Sequence, residues 1–377
     1  MPGYEIIDKK EFLAVKKVFD EGGVFFAHGF DNIRKKYYVR EFEKNNANFF
    51  RSKYTLAVTS GTAAIKVALK SIGIKPGDEV ITQAFNFIAT VEAILDVGAK
   101  PVIVNVDQNL NIKISELKKK ITNKTKAVIP VHMLGLSCEM NEILRICKKS
   151  NIKVIEDNCE SVGGKFGNKY LGTIGDVGIF SFDHGKILTT GEGGLILTKS
   201  KKLYENSREY HDHGHKNVKN KSRGNDDMKS PGFNYRMTEL QGAIGIAQLK
   251  KLPFILNENK KRYNIFKSIL GKKVKFREHL INSTPNYDTL IFYEKNKDKI
   301  RKILKVIKKN KFSTKNLPDA IKWHCSSYWS HIFNKKEINK MKPTLTILKE
   351  SIAIPILLKK SLLDYEKLAN NILKIYS

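Results

Sequence analysis

The chain has 377 residues, 68 Lys plus Arg against 38 Asp plus Glu, a formal net charge of +30 and 41% hydrophobic residues. That length builds a large domain with a smaller one, or two of similar size, and excludes a peptide-sized module. No apolar run approaches the roughly 18 residues of a membrane span, and no secretory h-region follows Met1, so the expected location is the cytoplasm.

Four cysteines at no metal or redox spacing exclude a disulfide scaffold. The positive charge is spread along the chain in short runs such as Lys118–Lys120. A nucleic-acid footprint needs clustered charge, so a solvated basic surface is the expectation, with neither nucleic acid nor membrane as partner. His211, His213 and His215 alternate along one stretch without the ligand spacing of a zinc site, and no metal is expected.

Strand-like runs alternate with helical patterns through the first two-thirds of the chain. Thr55–Val58 leads to a helix from Thr62, Glu79–Thr82 to a helix from Asn86, and Pro101–Val104 follows. Ala127–Val131 leads to a helix from Glu139, then Lys153–Glu156 and Val177–Phe182 complete the series. This rhythm predicts an α/β fold with a largely parallel sheet. Lys216–Ser230 is polar and irregular and reads as a loop near a site entrance. A long helix begins at Thr238 and passes Pro253 toward Ile269. Strands at Thr289–Tyr293 and Ile352–Ile356 with helices at Lys297–Lys309 and Ser361–Ile375 predict a smaller α+β unit, giving domains 1–253 and 254–377.

Ligands of such sheets bind beyond the carboxyl ends of the strands. Ser60, Gly61, Thr62, Phe87, Asp157 and Lys186 all fall there. Lys186 follows a strand and precedes the glycine-rich turn Gly191-Glu-Gly-Gly194, while Asp157 ends the apolar lead-in Ile152-Lys-Val-Ile-Glu. A lysine amine that condenses with an aldehyde, and a carboxylate that keeps a pyridine nitrogen protonated, are what pyridoxal 5′-phosphate (PLP) requires. Ser60-Gly61-Thr62 enters a helix, where hydroxyls and free amides hold a phosphate, although the same residues serve as an ordinary cap. Phe87 suits stacking on a pyridine ring, and both it and Phe85 also suit a core. Asp157 has helix capping as its alternative.

With these residues in place, the chain resembles the DegT/DnrJ/EryC1/StrS family of PLP-dependent sugar aminotransferases over roughly residues 25–255. The motifs occur in family order: Ser-Gly-Thr-Ala-Ala at 60–64, Phe-Ile-Ala-Thr at 87–90, Pro-Val-His-Met-Leu-Gly at 130–135, Glu-Asp at 156–157, Gly-Asp-Val-Gly-Ile-Phe-Ser-Phe at 175–182, Lys186, Thr-Gly-Glu-Gly-Gly at 190–194 and Gly-Phe-Asn-Tyr-Arg-Met at 232–237. The resemblance implies aminotransferase fold type I, with a mixed, mostly parallel sheet. It also implies L-glutamate as amino donor, Ser181 among the phosphate ligands, and a homodimer in which Asn234 reaches the other subunit's cofactor phosphate.

Relatives of dehydratase activity carry histidine in place of the Schiff-base lysine, and Lys186 stands against that activity. The family usually has glutamine near the cofactor phenolate three residues after the acid. This chain has Glu160, which would repel a phenolate unless protonated or turned away. Narrower similarity in Pro2-Gly-Tyr-Glu5, in Gly22–Asp31 and in His211–His215 points to the branch that makes 8-amino-3,8-dideoxy-octulosonate from 8-oxo-Kdo, a lipopolysaccharide sugar. A nucleotide-linked 4-keto-6-deoxyhexose is the alternative acceptor. Candidate substrate residues are His213, His215, Arg236, Trp323 and His324, which also suit an interface or a core.

Overall fold

The computed structural model describes residues 2–23, 25, 34, 36–218, 221–228 and 230–376. In chain order its strands are β1 (Tyr54–Val58), β2 (Glu79–Gln83), β3 (Lys100–Val104), β4 (Thr125–Ile129), β5 (Lys153–Asp157), β6 (Lys165–Phe166), β7 (Lys169–Tyr170), β8 (Val177–Ser181), β9 (Gly194–Thr198), β10 (Lys275–Phe276), β11 (Ser283–Thr284), β12 (Thr289–Tyr293) and β13 (Ser351–Pro355).

Seven of them form the main sheet, in the order β1-β9-β8-β5-β4-β2-β3. β3, β2, β4, β5 and β8 run parallel, and β9 is antiparallel to both β8 and β1. The mixed, mostly parallel sheet is therefore present. The periodicity argument stops short of β9, because a fully buried five-residue apolar run after a glycine turn has no alternation to mark it.

Alternation along the strands sends Ile196 to one face and Leu195 and Leu197 to the other. The first face is covered by the helix Gly61–Ser71 through Ala64, Val67 and Ala68. The second meets the helix Tyr38–Phe50 and the start of the long helix, at Phe42, Phe50, Phe180 and Leu249.

That long helix, Glu239–Leu270, starts at a capping box between Thr238 and Gln241 and continues through Pro253. Glu239 accepts hydrogen bonds from the Tyr38 and Val39 amides, a carboxylate at the amino end of the neighbouring helix, where the helix dipole favours it. Beyond it, β10, β12 and β13 make an antiparallel sheet packed by Lys297–Lys309 and Leu362–Leu373 around Phe266, Phe292, Ile303 and Leu368. β11 pairs with β6 in a third small sheet that also contains β7. Among the described residues no helix is long and apolar enough to cross a membrane.

The predicted loop at 216–230 carries a short 3-10 turn, Arg223–Asn225, and is tied at its base by Asp226, which accepts from the Asn217 and Val218 amides at 2.6 and 3.1 Å. Residues 219, 220 and 229 lie outside the described residues, as does most of the Gly22–Asp31 motif.

Candidate active site

The carboxyl ends of β1, β5 and β8 converge. Ser60 leaves β1 and caps the next helix, its hydroxyl accepting from the Ala63 amide at 3.1 Å while its carbonyl accepts from Ala64 at 3.0 Å. The Gly61 and Thr62 amides precede the first intrahelical bond, so they are available to an anion at the positive end of the helix.

Gly61 is required by close approach. A Cβ there would stand 2.8 Å from the Ser181 Cβ, 3.1 Å from its hydroxyl and 3.3 Å from the Cys159 sulfur. Gly194 is equally confined, with a Cβ 2.2 Å from the Ser60 carbonyl oxygen. Ser60, Gly61 and Ser181 therefore form one cradle. Gly61→Ala is expected to cost about 1–3 kcal/mol by overpacking and to weaken phosphate binding. Thermal unfolding and inorganic phosphate titration check both, and unchanged values would show that the cradle yields freely.

Strand alternation puts Asp157 and Glu156 on opposite sides of β5. Glu156 is fully buried and accepts from the Gly172, Ile174 and Gly175 amides at 2.9, 2.6 and 2.5 Å, and it lies 3.1 Å from His132 Nε2. The Cys138 amide donates to His132 Nδ1 at 3.1 Å, which leaves Nε2 as the ring donor to Glu156. This latch anchors the end of β5.

Asp157, 4% exposed, faces the cradle side. Its Oδ2 accepts from the Thr90 hydroxyl and its Oδ1 from the Cys159 amide, both at 3.1 Å. Among the described residues no cation pairs with it. A buried carboxylate with neutral donors alone is what a protonated pyridine nitrogen would complete.

Lys186 sits in a tight turn in which its amide bonds the Asp183 carbonyl and the Asp183 carboxylate accepts from Gly185. Its Nζ lies 2.5 Å from Glu160 Oε1. Lys315 approaches the other oxygen, Oε2, at 3.0 Å, an ion pair that falls short of hydrogen-bond geometry, and donates to Asp288 at 2.8 Å.

Burial opposes ionisation of Glu160, but Lys186 and then Lys315 outweigh it and hold the carboxyl well below the usual carboxylate range. Burial likewise opposes the Lys186 ammonium, and Glu160 reverses that, leaving it above the ordinary lysine value. Lys315 is raised in the same way, by Asp288 and Glu160 against burial. Glu160 is thus neither protonated nor turned away; it is neutralised in place.

Phe87 keeps 46% exposure, its ring 5.4 Å from that of His324 at 45°. The helix Ile321–His324 lies along the Phe87 segment, the His324 and Trp323 carbonyls accepting from the Asn86 and Ile88 amides. Burial lowers the His324 pKa, against the Ala320 carbonyl and Glu160. Trp323 is 61% exposed beside it.

The remaining predicted residues gather elsewhere, around Asp212. Arg236 Nη1 pairs with this buried carboxylate at 2.5 Å, and Arg223 makes a bidentate pair with it. Burial opposes the Asp212 charge, and the two guanidinium groups hold its carboxyl well below the ordinary range. Arg236 is therefore ion-paired with Asp212 in this structure. His213 is exposed, His215 lies 3.4 Å from Asp226, and His211 Nδ1 bonds the Arg208 carbonyl, so the three histidines do not converge. Asn234 is exposed and bridges to Asp212.

Thr90, His132, Lys315 and Asp288 were given no role by the sequence. Thr90 and His132 lie within quoted motifs, whereas Lys315 is one lysine of a lysine-rich chain and carries no local signal.

Together, free amides at a helix start, a half-exposed aromatic face, an unpaired buried carboxylate and a lysine amine fit PLP. GDP-perosamine synthase of Escherichia coli O157:H7 is 38% identical over 238 residues, 63% of this chain, and the chain spans 64% of that relative's length. GDP-4-keto-6-deoxy-D-mannose 3-dehydratase of Yersinia pseudotuberculosis is 33% identical over 284 residues, 70% of this chain and 70% of that relative.

 The aminotransferase from Psychrobacter cryohalolentis superposes with a TM-score of 0.86 at 26% identity, over 98% of this chain and 97% of that one. Residues 26–372 match the family throughout, and the chain belongs to the DegT/DnrJ/EryC1/StrS aminotransferase family.

Proposed function

We propose that this protein is a PLP-dependent aminotransferase that moves an amino group from L-glutamate to a keto-sugar, with a nucleotide-linked 4-keto-6-deoxyhexose as acceptor. The observation that carries the reading is the Lys186 amine, held 2.5 Å from Glu160 at the carboxyl ends of the strands, where Asp157 lies buried and, among the described residues, no cation pairs with it. When bound, PLP supplies an electron-withdrawing ring and the carbon on which the amino group is carried.

The chain's own residues do the rest. Asp157, oriented by Thr90, holds the proton on the pyridine nitrogen, and Phe87 covers the ring. Ser60, Gly61, Thr62 and Ser181 hold the phosphate. Lys186 Nζ takes the proton from the donor Cα and returns it, as general base and then acid. The exposed Asn234 supports a site completed by a second copy of the chain.

The Escherichia coli and Yersinia relatives carry GDP-linked sugar names, which favours a nucleotide-linked acceptor over the free octulosonate expected from the motifs at 2–5, 22–31 and 211–215. Lys186 favours amino transfer over dehydration. Protein reconstituted with PLP and L-glutamate should release 2-oxoglutarate beyond a single equivalent per site only when a nucleotide-linked 4-keto-6-deoxyhexose is present to take up the amine. Release with 8-oxo-Kdo alone would return the acceptor to the octulosonate, and loss of a sugar hydroxyl without amine incorporation would make the protein a dehydratase.

A further inference from the structure

We propose that Lys315 is a positioning residue that keeps Glu160 an ionised partner of the cofactor once Lys186 is committed to it, so that the two residues form a matched pair. The inference rests on the PLP reading above. Glu160 lies on the loop after β5, and Lys315 comes from the carboxyl-terminal part of the chain. The Lys315 amide bonds the Ala353 carbonyl of β13 at 2.9 Å, and its ammonium is buried between Glu160 at 3.0 Å and Asp288 at 2.8 Å. Asp288 is held in turn by the Thr289 hydroxyl at 2.7 Å. The Glu160 backbone is fixed as well, its carbonyl accepting from the Gly135 amide at 3.0 Å.

The charged and titratable groups around the pair are Lys186, Asp288, His324, Asp157 and Cys159. Two cations serve Glu160 in the free protein, Lys186 and Lys315. When Lys186 condenses with the PLP aldehyde, its nitrogen is shared with the cofactor and water leaves. Lys315 then remains as the undivided positive charge on Glu160. Without it, a buried carboxylate beside the cofactor's phenolate would have to take up a proton or repel the ring. This accounts for a glutamate at a position where an uncharged amide would need no such partner.

The test is a double-mutant cycle of Lys315→Met and Glu160→Gln, read as PLP affinity by visible absorbance between pH 6 and 8, with thermal unfolding recorded for each variant. Lys315→Met should bind PLP about ten- to a hundredfold more weakly than wild type at pH 8 and recover toward it at pH 6. The sign follows because loss of the cation raises the Glu160 pKa, so binding requires proton uptake and weakens up to about tenfold per pH unit as pH rises. The double variant should bind within about threefold of Glu160→Gln, with no such slope.

Equal impairment of Lys315→Met and the double variant would place the effect on Asp288 or the fold and overturn the proposal, as would a flat pH profile for Lys315→Met. If the methionine variant does not fold, Lys315→Gln goes through the same cycle with the same expectations. Wild-type protein that binds no PLP would instead overturn the functional reading itself, a result distinct from normal binding with no coupling.

Discussion

Lys186→Ala is expected to lower amino transfer by at least about 10³-fold, because it removes the group that moves the proton between donor and cofactor carbon. The fold should survive. The lost ion pair leaves Glu160 with Lys315 at 3.0 Å, so no carboxylate is stranded, and the backbone of the turn is set by Asp183 rather than by the Lys186 side chain. Two measurements separate chemistry from folding: 2-oxoglutarate release, and borohydride fixation of the cofactor to the protein, which should disappear with the amine. Retained turnover in a folded variant would remove Lys186 from its role.

Asp157→Asn is the second large effect. An asparagine fits the same space, and its side chain can still meet the Thr90 hydroxyl, which accepts as well as donates. What it lacks is the negative charge facing the pyridine nitrogen. Loss of a preorganised electrostatic partner of this kind costs about 10²–10³ in rate, and PLP affinity should fall with it while the melting temperature changes little. A variant within threefold of wild type in both rate and affinity would mean that Asp157 acts as a cap and not on the cofactor.

The relation of sequence to structure differs between these residues. The places of Asp157 and Lys186 were legible because Asp157 ends the buried β5, Lys186 lies in the turn that follows the buried β8, and both stand in an ordered set of motifs, so their position at the carboxyl ends of the strands follows from local pattern. Ser60 was legible for the same reason, as a cap between strand and helix. Arg236 was not. It lies two residues from Asn234 in a motif, yet its guanidinium is spent on Asp212, a buried acid whose need for countercharge depends on packing.

The sequence by itself determined the alternation of strands and helices and the place of Asp157 and Lys186 at and just beyond the carboxyl ends of two neighbouring strands. These depend on residue periodicity and on chemistry carried by single side chains. Only the tertiary structure decided how Glu160 is tolerated, because the answer lies in Lys315 and Asp288, brought to it by a separate sheet. Ion pairing acts through space at a few ångströms, and no spacing along the chain encodes which of many lysines will arrive there.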